Sequence, residues 1–191
     1  MQFSLLPRPE EEILVDDETG RIVYRRDVFD EEQTAAWFET LRADVAWRTE
    51  RRPMYDRVVD VPRLVASFHL DDTPLPAPIA AMRPHVERYC ATAFNSAGLN
   101  FYRDGNDSVA PHGDHMERGP IGAPVALVSL GAVRRMTIRG KAAPKRLLDL
   151  DLEPGSLLVM SYESHFNYVH GIPKTRERVG PRISVAFRQT H

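Results

Sequence analysis

With 191 residues, 42% hydrophobic and 27% charged, the chain has apolar material for one domain with a full core and little room for a second. A single cysteine, Cys90, excludes an internal disulfide and thiol-built metal sites, and no run approaches the roughly eighteen apolar residues of a membrane span. The net charge of −2 argues neither for nor against a nucleic-acid partner, and the N-terminus lacks a secretory leader, so a reducing cytoplasm is expected.

Acidic residues crowd positions 10–18 and 30–32, and Gly20 predicts a turn between two short strands, with residues 21–24 as the second. Asp30 begins a helix: it can cap free backbone N–H groups, and Gln33 stands three residues later in a capping-box arrangement. Trp37, Phe38, Leu41 and Val45 recur at helical spacing and should face the core. Met54 and Tyr55 then form an apolar tip flanked by Arg51, Arg52 and Arg57. Such a tip could wedge into a duplex or simply anchor a hairpin.

A second helix is predicted after the proline-rich 74–78 segment, running to about Asn95. Ile79, Met82, Val86, Tyr89 and Ala93 form its stripe, and Gly98 marks its end. From Asn100 onwards the pattern changes to short strands. Residues 125–130 and 135–138 suggest a pair around Gly131, and 147–152 and 157–160 another around Pro154-Gly155. The last strand alternates: Ile183, Val185 and Phe187 point one way, and Arg182, Ser184, Ala186 and Arg188 the other. The expected fold is α+β, a double-stranded β-helix or jelly roll with supporting helices on one side. Basic residues at 51–63, 134–146 and 174–178 form a phosphate-contacting rim if they fold onto one face, or a scattered solvated surface if they do not.

His112-Gly113-Asp114, with His170 far downstream, has the composition of a mononuclear iron site. Two imidazoles and a carboxylate on one face of Fe(II) leave other positions open for a co-substrate and O₂. Period two puts His112 and Asp114 on one side of an extended strand. Arg182 and Arg188, six residues apart after the last histidine, suggest a dicarboxylate co-substrate. An internal salt bridge is the alternative for either arginine.

Several stretches resemble the AlkB-type Fe(II)/2-oxoglutarate-dependent dioxygenases, a nucleic-acid dealkylase family. They are Asn-Phe-Tyr-Arg-Asp-Gly-Asn-Asp-Ser-Val at 100–109, followed by His112-Gly113-Asp114. Val-Ser-Leu-Gly-Ala at 128–132 and Pro-Gly-Ser-Leu-Leu-Val-Met at 154–160 come next. His-Gly-Ile-Pro-Lys at 170–174 and Pro-Arg-Ile-Ser-Val-Ala-Phe-Arg at 181–188 complete the set. The likeness spans roughly residues 29–188 of a single domain over 1–191, leaving 1–28 as an N-terminal extension. The resemblance implies that His112, Asp114 and His170 hold Fe(II). It assigns Asn100 and Arg188 to the metal-side carboxylate of 2-oxoglutarate, and Tyr102, Arg182 and Ser184 to the distal one. The family often has Asn in place of Ser184. The implied reaction is oxidative demethylation of an alkylated base, consuming O₂ and releasing formaldehyde, succinate and CO₂. The implied partner is alkylated nucleic acid, DNA before RNA, with no membrane and a monomeric chain.

Substrate recognition is where the chain departs from that pattern. DNA-repair members carry an acid two places after the iron-binding Asp; here Met116 stands there, with Glu117 one residue later. Val61-Pro62-Arg63 resembles the stretch preceding the family's base-contacting segment, but the aromatic-rich hairpin is shortened after it, leaving Phe68 and His69. Arg63, Phe68, Met54, Tyr55 and Glu117 are therefore the expected substrate contacts, with a core role as the alternative for Phe68, a hairpin anchor for Met54 and Tyr55, and a solvated loop acid for Glu117. His115 and His165 are surplus to a facial triad and should line the pocket or the surface. The same chemistry on a small molecule or protein side chain stays open, as does a non-catalytic jelly roll that senses a carboxylate.

Overall fold

Among the described residues, twelve strands build two antiparallel sheets. The computed structural model describes residues 10–54, 57–114, 119–143 and 146–191, with side chains described outside 51–60. The larger sheet runs, edge to edge, through β1 (Glu11–Asp17), β2 (Gly20–Arg25), β10 (Leu157–Met160), β7 (Val125–Gly131), β12 (Arg182–Arg188), β5 (Ser96–Tyr102), β4 (Arg57–His69) and β3 (Arg48–Met54). The smaller one runs through β6 (Val109–His112), β11 (Tyr168–Ile172), β8 (Arg134–Gly140) and β9 (Leu147–Leu152). Helices α1 (Glu31–Asp44) and α2 (Ala77–Cys90) pack on the larger sheet, and a single turn, α3 (Ser164–Asn167), precedes β11. This is the jelly roll with helices on one side that the alternation and helical spacing predict. No helix among the described residues is long and apolar enough to cross a membrane.

Two apolar layers follow from strand alternation. Ile183, Val185 and Phe187 of β12 lie in a core with Phe38 and Leu41 of α1 and Ile79, Met82 and Val86 of α2. A second core fills the space between the sheets, with Ile22, Tyr24, Leu158 and Met160 meeting Met136, Ile138, Leu150 and Leu152. The polar face of β12 therefore looks into the space between the sheets. Asp30 caps α1 as expected, its Oδ1 accepting Gln33 N–H at 2.8 Å.

Strand partners and the end of the second helix differ from the sequence reading. The stretches 125–130 and 135–138 are not hairpin partners: β7 pairs with β10 and β12, and β8 pairs with β9 and β11. Gly131 and Gly155 are corners where the chain leaves one sheet for the other. Gly131 has φ +81°, and a Cβ there would lie 2.6 Å from the Pro181 carbonyl. Alternation reveals a strand's two faces but not its neighbour, so hairpin logic paired the wrong elements.

Helix α2 stops at Cys90 rather than near Asn95. The Glu87 carboxylate takes the Phe94 N–H at 2.9 Å, and Phe94 turns inward to meet Phe187. Gly98 lies inside β5, where a Cβ would come within 2.9 Å of Arg188 Nη1. Residues 11–25, beyond the span of the family likeness, form the strand pair read around Gly20 and join the larger sheet: β2 pairs with β10, and Ile22 and Tyr24 are fully buried. Finally, β3 and β4 form a long antiparallel pair in which Met54 is opposite Arg57.

Candidate active site

His112 and His170 face each other across the β6–β11 pair, with ring centroids 4.7 Å apart. Asp114 lies just past the end of β6, and one ligating atom from each of the three residues falls within 4.8 Å of the others. His112 Nδ1 donates to the Ala110 carbonyl at 2.9 Å, which turns Nε2 towards the shared point. Burial pushes the His170 imidazole down to about 4 despite the opposing pull of Asp114, so at neutral pH its lone pair is free to bind a metal. Burial alone would push the Asp114 carboxyl up. The Arg188 guanidinium outweighs it, helped by His165 and His170, and holds the group well below the usual carboxylate range. Two imidazoles and a carboxylate thus converge on one point.

Beside this triad is a cavity of about 230 Å³, lined by Asn100 and Tyr102 of β5, Arg182, Ser184 and Arg188 of β12, Arg63 of β4, and His112 and His170. Sheet register sets these side chains in rows. Tyr102 is opposite Arg182, and Asn100 is opposite Ser184, which is in turn opposite Ser129 of β7. Neighbours in register share a face, so the row converges on one small volume. Arg182 donates from Nη2 to Ser129 Oγ at 2.9 Å and lies 5.4 Å from the Tyr102 ring centre. It is 1% exposed, and burial lowers its pKa to about 10, leaving it a cation at neutral pH.

Residues 69–188 match the family described as the 2OG-Fe(II) oxygenase superfamily. The chain belongs to that superfamily. Human DNA oxidative demethylase ALKBH2 (Homo sapiens) is 32% identical over 115 residues, which cover 56% of this chain and 44% of that protein. The alpha-ketoglutarate-dependent dioxygenase alkB homolog 3 of Mus musculus is 28% identical over 177 residues, covering 82% of this chain and 62% of that protein. The chain spans less than half the length of the ALKBH2 relatives it matches. The solved structure of OsALKBH1 superposes with a TM-score of 0.62 at 13% identity, covering 93% of this chain and all of that one. A 2OG-Fe(II) oxygenase family oxidoreductase from Burkholderia pseudomallei gives 0.60 at 15%, covering 91% and 87%. Both share the fold.

The superfamily's groups, Fe(II) and 2-oxoglutarate, fit the residues present. The donor set of two histidines and one aspartate suits Fe(II) with sites left open. The Arg182 guanidinium has Nε and Nη1 buried without a partner among the described residues, a costly arrangement that an incoming carboxylate would relieve. The cavity is smaller than the roughly 300–1,000 Å³ of drug-sized sites, in keeping with a short acid. All five residues expected to contact 2-oxoglutarate line it.

The expected substrate contacts fare differently. Phe68 is a correction: it pairs with Ala97 on the helix-facing side of β4 and packs against the outer core. Period two along β4 puts Phe68 on the strand face opposite Arg63 and Val65, and it is not among the residues lining the cavity. Arg63 does line the cavity, 9% exposed, with its Nε donating to Asn100 Oδ1 at 2.6 Å. Met54 ends β3 and its side chain is outside the described set. Tyr55, His115, Met116 and Glu117 lie outside the described residues. The expected basic rim loses members: Arg134 is buried, Arg135 pairs with Asp151, and Arg146 pairs with Asp17.

Two neighbours of the site take places that the sequence reading did not give them. His165, expected to line the pocket or surface, is buried in α3 with Nδ1 3.2 Å from Asp114 Oδ2, outside good hydrogen-bond geometry. No strand or helix period links position 165 to 114, so nothing in the spacing foretold it. Arg134 lies 5.6 Å from the Tyr102 ring centre and donates to the carbonyls of Asp104, Asp107 and Pro173 at 2.8–2.9 Å. It was legible, since positions 134, 136 and 138 share the inward side of β8.

Proposed function

We propose that this chain is an Fe(II)- and 2-oxoglutarate-dependent dioxygenase that oxidatively demethylates alkylated bases in nucleic acid, DNA before RNA. The observation that carries the oxygenase reading is the triad's convergence within 4.8 Å beside a buried guanidinium with unpaired donors. Nucleic acid as substrate is supported by the likeness to the DNA oxidative demethylase ALKBH2. Bound Fe(II), with 2-oxoglutarate and O₂, would supply the oxidant that hydroxylates an N-methyl carbon, with succinate and CO₂ as co-products.

The chain's own residues orient and neutralise. His112, Asp114 and His170 would hold the metal on one side only. Arg182, Tyr102 and Ser184 would grip the distal carboxylate, and Asn100 and Arg188 the near one. The apolar layer of Met136, Ile172 and Leu127 at the cavity wall keeps water from the reacting carbon. A reducing compartment such as the cytoplasm suits an iron that must stay ferrous.

Methylated oligonucleotides, single- and double-stranded, DNA and RNA, incubated with Fe(II), 2-oxoglutarate and O₂ test this. Formaldehyde should appear with methylated strands and not with unmethylated ones, and His112→Ala should abolish it. Succinate without formaldehyde from any strand would move the substrate elsewhere. The inward packing of Phe68 favours that second reading, an oxygenase of a small molecule or protein side chain, because it removes one expected stacking surface. No succinate at all would leave a carboxylate sensor.

A further inference from the structure

We propose that Arg63 is a positioning residue for the co-substrate, setting the direction in which the Asn100 amide faces, and not a contact of the base. This rests on the reading that the cavity takes 2-oxoglutarate. Arg63 Nε donates to Asn100 Oδ1 at 2.6 Å, and its Nη2 lies 3.9 Å from Glu50 Oε2. The side chain is 10% exposed, so the guanidinium is held inside the wall of the cavity and has little surface to offer a base.

The chemistry of the two groups fixes the orientation. An arginine N–H can only donate, whereas an asparagine amide has an accepting oxygen and a donating –NH₂ that differ little in shape. Beside Arg63 the amide must turn its oxygen to the guanidinium. Its –NH₂ is left pointing elsewhere, and Nδ2 has no protein partner among the described residues. Asn100 lines the cavity next to Ser184, opposite it in register. An amide held this way presents N–H groups to a carboxylate. The same amide reversed would present an oxygen lone pair to an anion and repel it. Arg63 thus converts a two-fold ambiguous side chain into a donor.

The test uses Mn(II) in place of Fe(II), with calorimetric titration of 2-oxoglutarate, so the readout is independent of turnover. Arg63→Met removes the donor and leaves the amide free to reverse; 2-oxoglutarate binding should weaken about ten-fold, in the range for a hydrogen bond to a charged group. Arg63→Lys keeps a donor-only group and should restore binding to within about three-fold of the parent. Mn(II) affinity without 2-oxoglutarate should stay unchanged in both variants. Adding Arg63→Met to an Asn100→Ala background should cost nothing more, because the residue acts through Asn100.

Unchanged 2-oxoglutarate binding in Arg63→Met overturns the proposal, as does a full second loss in the Asn100→Ala background or parallel loss of Mn(II). Equal loss in the Met and Lys variants overturns it too. A parent protein that holds Mn(II) but binds no 2-oxoglutarate would instead overturn the co-substrate reading itself.

Discussion

Arg188 donates twice to one oxygen of Asp114, Nη2 at 2.6 Å and Nε at 3.2 Å, while Asp114 itself is a member of the metal-binding triad. A residue expected to meet the co-substrate therefore also neutralises and aims a ligand of the metal. Arg188→Met should remove both effects. Metal affinity is expected to fall about 10–100-fold, the range for loss of a group that orients a ligand, and 2-oxoglutarate affinity should fall with it. Arg188→Lys, which cannot form the same two-pronged contact, should recover only part. Mn(II) titrations with and without 2-oxoglutarate measure both; normal metal binding in Arg188→Met would mean that the ion pair holds Asp114 no better than packing does.

Arg182 should separate binding from stability. Burying a guanidinium with two unpaired nitrogens opposes folding, yet those nitrogens suit a carboxylate. Arg182→Met is expected to weaken 2-oxoglutarate binding about 10–100-fold, as for a lost charge-assisted pair. The melting temperature of the metal-free protein should hold or rise. A fall in melting temperature alongside unchanged 2-oxoglutarate affinity would make Arg182 a structural ion and redirect the search for the distal-carboxylate group.

The contrast between β12 and β4 shows what the sequence made legible. On β12 the alternation of Ile183, Val185 and Phe187 against Arg182, Ser184 and Arg188 predicts both the core face and the cavity face, because seven residues repeat with period two. Phe68 was placed by resemblance and not by alternation, because the strand that carries it to His69 was not recognised. The stretch from 48 to 69 is rich in arginine and carries Pro53 and Pro62, which hide its strand character. Sheet partnership was the deeper gap. That 125–131 joins 157–160, and not 134–140, depends on which faces bury most surface, a property of the whole fold. His165 is the local counterpart: its place beside Asp114 comes from a single turn of helix that no periodic pattern announces.

That turn of helix gives another expectation. His165 is wholly buried between Asp114 and His170, with ring centres of the two histidines 6.2 Å apart. Its atoms fall outside the converging triad, so it is a buttress and not a fourth ligand. His165→Phe keeps the ring's bulk and removes the polar edge facing Asp114. Metal affinity should drop about 10-fold, at the weaker end for a supporting contact, with the melting temperature little changed. Total loss of metal would promote His165 to a ligand, and no loss would reduce it to packing.

Asp107 supplies a pH dependence independent of the metal site. Its carboxylate accepts the Arg103 backbone N–H at 2.9 Å and the Arg103 Nε and Nη2 at 2.8 and 2.9 Å, closing the loop beyond Tyr102. Burial pushes this carboxyl up, but the Arg103 bonds outweigh burial and hold it below its usual value. A group whose folded pKa lies below its unfolded value of about 3.9 contributes fully above that value, and the contribution disappears as pH falls through the folded one. Asp107→Asn should therefore cost about 1–3 kcal/mol at pH 7, the range for lost hydrogen bonds to a charged group. The cost should shrink towards zero as pH falls below about 4. Urea unfolding of parent and variant at pH 7, 5, 4 and 3 reads this directly. A constant difference across that range would show that the loop is held by backbone contacts, such as Arg134 on the Asp107 carbonyl, and not by the carboxylate's charge.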